Sequence, residues 1–242
     1  MRILVIQHVA SAPLAAYADV LEARGVEIEL VDCEAGDTIP ATLAGCDGVI
    51  SLGGPQSLHD PAELDWLDAE LELLRLAVAA DVPVYGVCLG AQLLAMAFGG
   101  AVYAGPVPEV GPAPVHRTPA ARDDAVFGRL PDTIPAFHWH ADTFVLPAAA
   151  TLLASSDRYP NQAFRIGACG YGVQFHAESS LATIRGMTEL DTTAAQLERA
   201  LGPGAAQAVL EAAALEMDAI HDVAKHLIGA WLDVCADRAR AR

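Results

Sequence analysis

The chain has 242 residues, a length suited to one α/β domain with a substantial core. Apolar residues make up 53% and charged residues only 19%, a composition that argues against a disordered chain. The formal net charge of -17 disfavours nucleic acid and anionic lipid surfaces as general partners.

The elements follow in chain order. RILVIQHV reads as a buried strand, and PLAAYADVLEARG as a helix ended by Gly25. The start carries one early Arg and an apolar run broken by Gln7 and His8, which is a strand rather than a secretory signal. VEIELV restores strand alternation, and GVISLGG is a second buried strand ending in paired glycines. The spacing of Leu64, Leu67, Leu71, Leu74 and Val78 predicts a long helix between Pro61 and Pro83 with one apolar face. PVYGV is strand-like, and LGAQLLAMAFGG a helix stopped at Gly99 and Gly100.

From Tyr103 to Pro119, proline and glycine favour an edge strand with turns. IPAFHWHADTFVLP, ATLLASS, AFRIG and GYGVQFHAE are further short strands or strand–loop segments. The alternation of strands and helices predicts an α/β fold: a mostly parallel central sheet flanked by helices on both faces. TTAAQLERALG and the last segment from Gly204 have helical composition, and Ile220, Val223, Leu227 and Trp231 form an apolar series that should pack within the chain. Arg238, Arg240 and Arg242 read as a solvated end. No run of about 18 apolar residues predicts a membrane span. The five scattered cysteines, without metal or disulfide spacing, suit a reducing cytoplasm.

The chemistry concentrates in PVYGVCLGAQLLA. Gly86-Val87-Cys88-Leu89-Gly90, between a buried strand and a helix, is the sulfur analogue of the G-x-S-x-G nucleophile elbow. The helix N-terminus after Cys88 favours thiolate and offers donors to a developing oxyanion. Three segments in order, ISLGGPQSLHD, GVCLGAQLLA and YGVQFHAE, resemble the class I glutamine amidotransferase family over about Arg2 to Glu178, most closely its stand-alone GMP synthase-like members.

The resemblance implies that family's α/β domain over residues 1–190, and the helical composition of 191–242 makes a C-terminal extension expected to pack on the same domain. It implies Cys88 as nucleophile, His176 as general acid/base and Glu178 as the carboxylate orienting it. On an extended strand, the two-residue spacing would put His176 and Glu178 on one side; otherwise a turn must join them. An isolated pair of this kind carries little weight without the Cys88 segment. Ala177 stands where relatives commonly carry proline, and Ala91 where many carry histidine.

Gly53 and Gly54 permit close backbone approach, and the resemblance pairs the Gly54 region with the Leu89 N–H as an oxyanion hole. Gln92, four residues after Cys88 on the helix, shares its face and is expected to contribute to substrate recognition. His140 and Asp142 are expected beside the mouth of the site, and Tyr171 near the cleft. His138 and His140 alternate as metal ligands can, but no third ligand is placed, so neither metal nor other cofactor is expected.

The implied reaction is hydrolysis of glutamine through a cysteinyl thioester, with ammonia passed to a separate synthetase or acceptor protein. No phosphate-binding G-x-x-x-x-G-K-[ST] loop follows. A γ-glutamyl hydrolase or transferase would use the same intermediate, and a catalytically silent regulatory protein could keep the same fold.

Overall fold

Buried apolar runs form strands because pairing satisfies their backbone groups while both faces remain covered. The computed structural model describes residues 1–43, 45–58, 64–189 and 191–242. The order is β1 (Arg2–Gln7), α1 (Ala16–Ala23), β2 (Glu27–Asp32), β3 (Gly48–Ser51), α2 (Leu67–Ala79), β4 (Val84–Val87) and α3 (Leu89–Ala97). Then come β5 (Val102–Pro112), β6 (Val115–Arg117), β7 (Thr133–Ile134), β8 (Phe137–Phe144), β9 (Ala150–Ser155), β10 (Ala163–Ile166) and β11 (Gly170–Val173). The chain closes with α4 (Leu181–Glu189), α5 (Asp191–Leu201) and α6 (Ala205–Ala241).

The main sheet runs β2-β1-β3-β4-β11-β10-β9-β6-β7. Its first five strands are parallel, and the pairings from β11 onward are antiparallel. β5 and β8 form a separate antiparallel pair. Alternate residues of the parallel strands serve different cores. Ile3, Val5, Ile50 and Val87 pack with Tyr17 and Leu21 of α1 and with α6, while Leu4, Ile6, Val49 and Val84 meet α2 and α3. No described helix is long and apolar enough to cross a membrane.

Helix α2 starts later than its leucine spacing predicts. Leu64 precedes the first turn, Pro61 lies outside the described residues, and Trp66 packs tilted against His8 with ring centroids 4.7 Å apart. Leu67, Leu71 and Leu74 are buried as expected. Helix α4 has no clear signal in the sequence, because its threonines and Gly186 dilute helical propensity; burial of Ile184 accompanies it.

The 37 residues of α6 make a rod about 55 Å long. Ile220, Val223, Leu227 and Trp231 are all buried, the last three in the same core as β1 and β4. Trp231 and Cys235 press on Gly48 so closely that an added Cβ would stand 2.9 Å from both, which explains glycine on β3. The end of α6 is not a free basic tail. Arg238 pairs with Asp81 at 3.5 Å, and Arg242 pairs with Asp47 at 3.6 Å and donates to the Asp81 carbonyl.

Candidate active site

Cys88 occupies the junction of β4 and α3 with φ 50° and ψ -102°, a positive-φ conformation that a non-glycine residue adopts at a cost. The strain is held by its surroundings. Its N–H donates to the Val173 carbonyl at 2.8 Å, and the Gly90 N–H donates to Leu52 at 3.2 Å. A Cβ at Gly86 would lie 2.5 Å from the Gly90 carbonyl, and one at Gly90 only 2.1 Å from the Ser51 carbonyl. Both glycines of the elbow are therefore demanded by backbone packing.

Strand β11 ends at Val173, short of His176. A backbone bond from His176 N–H to the Phe137 carbonyl, 2.7 Å, ties the following segment to β8. The bend after His176, rather than strand alternation, brings Glu178 to the ring, with Nδ1 to Oε1 2.6 Å. Helix α1 supports that bend, since the Ala16 N–H donates to the Glu178 carbonyl at 2.9 Å, and His221 of α6 donates to the neighbouring Ser179 carbonyl at 3.0 Å. With Nδ1 committed to Glu178, the ring also lies within electrostatic reach of the Cys88 side chain. Burial alone would depress the imidazole, but the Glu178 carboxylate and Cys88 outweigh it and hold His176 well above its ordinary 6.5.

Gly53 backs this pair: a Cβ there would meet His176 Cε1 at 3.3 Å and Cys88 Cβ at 3.6 Å. Gly54 lies against Leu89, 2.9 Å from the corresponding position to its Cδ2. Leu89 is the first residue of α3, where an N–H has no intrahelical acceptor. Beneath the loop, fully buried His8 and Glu70 meet at 2.8 Å, and Ser51 donates to the other Glu70 oxygen at 2.6 Å. Burial pulls the His8 imidazole down, yet Glu70 raises it overall. This network accounts for a glutamate on the buried face of α2. The sequence offered no signal for it beyond the interruption of the first apolar run. His59 and Asp60 of the loop segment lie outside the described residues.

Gln92 does share the Cys88 side of α3, but its amide is engaged by Gln174 Oε1 at 3.1 Å and the Asp142 carbonyl at 3.5 Å. Gln174 in turn donates to the Cys88 sulfur at 3.5 Å. Gln174 sits in the YGVQFHAE segment, but nothing in the local pattern marks it as a partner of Cys88. His140 is buried, with Nδ1 on the Asp142 carbonyl and Nε2 at Glu109, so its ring does not line an opening. Tyr171 departs from expectation: it is 1% exposed, in the sheet core. Its place on β11, two residues before the strand ends, buries it beside Tyr85 rather than in the cleft. A recess bordered by Ser11, Pro13, Ala15, His176, Glu178 and Met187 reaches the carboxylate side of the imidazole.

The family model for Glutamine amidotransferase class-I matches residues 13–191. The glutamine amidotransferase-like protein YfeJ of Salmonella typhimurium is 32% identical over 192 residues, covering 78% of this chain and 80% of the relative. A GMP synthase [glutamine-hydrolyzing] of Porphyromonas gingivalis is 34% identical over 142 residues, covering 58% of this chain but only 26% of that relative. The crystal structure of a glutamine amidotransferase from Thermotoga maritima superposes with a TM-score of 0.85 at 27% identity, covering 96% of this chain and 98% of the other.

Proposed function

Because this chain belongs to the class I glutamine amidotransferase family, we propose that it hydrolyses the side-chain amide of glutamine through a thioester on Cys88. The observation that carries the reading is the His176 ring, hydrogen-bonded to Glu178 and lying beside Cys88, with Gly53 packed against both side chains. That relay takes the thiol proton and holds it as imidazolium beside a carboxylate.

In the proposed cycle the Cys88 sulfur attacks the amide carbon, and the carbonyl electron pair moves to oxygen. The N–H groups of Gly54 and Leu89 are the proposed oxyanion donors; loss of one well-aimed donor costs about 2.7–4 kcal/mol in other hydrolases. His176 returns its proton to the departing nitrogen, releasing ammonia and leaving the γ-glutamyl thioester. A water, deprotonated by His176, attacks that thioester and frees glutamate, regenerating the thiol. Gln174 acts on the sulfur and Gln92 on Gln174, so Gln92 serves the site at one remove. We assign ammonia to a separate acceptor protein, consistent with the match to a fraction of a glutamine-hydrolysing synthase.

The test is incubation with glutamine and a panel of γ-glutamyl amides, measuring ammonia and glutamate and mapping acylated peptides. Turnover of glutamine, with an adduct on Cys88 and none in Cys88→Ala, is the expected result. Preference for a γ-glutamyl amine would move the activity to that substrate class. Neither turnover nor adduct, with candidate acceptor proteins present, would overturn it.

A further inference from the structure

Antiparallel pairing of β5 and β8 sets Glu109 opposite His140, with His138 two residues along on the same face. All three are buried, His138 completely. Glu109 Oε2 lies 3.1 Å from His140 Nε2 and 3.3 Å from His138 Nδ1. The outer ring nitrogens have other work. His140 Nδ1 is 2.9 Å from the Asp142 carbonyl, and His138 Nε2 is 3.1 Å from the Ala113 carbonyl.

A carbonyl only accepts, so each neutral imidazole carries its proton on the outer nitrogen and turns a lone pair inward. Those lone pairs face a carboxylate that itself accepts from Ser156 Oγ at 2.9 Å and Gln162 Nε2 at 2.7 Å. His138 Nδ1 is buried without a hydrogen-bond partner. An extra proton on His140 would answer one of these contacts and leave His138 facing an anion with nothing between. A cation between the three groups answers all of them.

We propose that Glu109 Oε2, His138 Nδ1 and His140 Nε2 form a binding site for a zinc-type divalent cation. Their ligand atoms all lie within 4.8 Å of one another. Ligands of tetrahedral zinc, at about 2.0–2.1 Å from the metal, stand about 3.3 Å apart, close to the two separations above. Two imidazoles and one carboxylate suit zinc, and the fourth position falls to water. The outer partners match those that orient metal ligands elsewhere: backbone carbonyls fix both tautomers, while Ser156 and Gln162 hold the carboxylate. The site is separate from the Cys88 centre but adjoins its support, because the Asp142 carbonyl that orients His140 also accepts from Gln92 at 3.5 Å. It does not depend on the proposed glutaminase activity.

The competing zinc site is Cys88 with His176, so the test separates the two. Tag-free protein, stripped with chelator, is titrated with Zn2+ by calorimetry, and retained metal is counted after gel filtration. One tightly bound equivalent is expected in both the wild type and Cys88→Ala. Glu109→Gln and His138→Gln should each weaken binding by about 100-fold or more, and Gln162→Ala by about 10–100-fold. Co2+ in its place should show tetrahedral ligand-field absorption without a thiolate band. Should the ligand variants fail to fold, anomalous diffraction from zinc-soaked wild-type crystals decides, with a peak expected between Glu109, His138 and His140. No retained zinc in Cys88→Ala, unchanged affinity in folded Glu109→Gln and His138→Gln, or a peak at Cys88 and His176 alone would overturn the proposal.

Discussion

The side-chain amide of Gln174 donates to the sulfur of Cys88 at 3.5 Å, while its oxygen accepts from Gln92. A hydrogen bond to a charged group contributes about 1.5–3 kcal/mol. Gln174→Ala should therefore lower kcat about 10- to 100-fold, with a smaller change in KM. Gln174→Glu should be worse, because a carboxylate beside the sulfur repels negative charge. Steady-state kinetics with glutamine check this, and a loss within twofold would remove Gln174 from the site.

Removing the Glu178 charge should release His176 toward lower pKa. In the wild type the imidazole is raised above 6.5, so the stability it contributes is fully present below that pH and is lost as pH rises through the raised value. The stability gap between wild type and Glu178→Gln should accordingly be widest below pH about 6.5 and close at higher pH. Imidazole titration by NMR should show a lower midpoint in the variant. Activity should fall by about 10²–10⁴-fold.

Breaking the buried pair beneath the glycine loop has a separate signature. Glu70→Gln should destabilise by about 3–5 kcal/mol, since it leaves His8 without its carboxylate. Replacing both residues with apolar side chains, His8→Leu with Glu70→Met, should recover much of that loss. The double variant should still show reduced kcat, because Gly53 and Gly54 lose the group that packs under them. Full kcat in a stable double variant would show that the pair supports only the fold.

Two glycines should respond with opposite signs. Gly90→Ala drives a Cβ into the Ser51 carbonyl at 2.1 Å, which side-chain movement cannot relieve, and should cost about 1–3 kcal/mol or more. Gly229, within α6, has nothing within 4 Å of an added Cβ. Gly229→Ala should stabilise by about 0.5–1 kcal/mol through helix propensity. Denaturant midpoints compare the two directly.

The C-terminal helix should behave as part of the core. Trp231 is fully buried against Gly48 and Tyr85, so Trp231→Ala should destabilise by about 3–5 kcal/mol. A cooperative unfolding curve with a midpoint close to wild type would contradict that packing.

Local pattern by itself determined the strand–helix alternation, the elbow at Cys88 and the buried series on α6, since glycine spacing, hydrophobic period and strand composition act over a few residues. It also put His176 and Glu178 in one short segment, where the bend that joins them could only be one of two possibilities. Glu109, Gln174 and the His8–Glu70 pair were decided by tertiary structure alone. Glu109 reaches His140 only through the register of β5 on β8, and His8 and Glu70 are 62 positions apart until β1 and α2 pack together. A polar side chain in a sequence carries no mark of its partner; burial, which makes an unpaired group costly, selects that partner once distant elements meet.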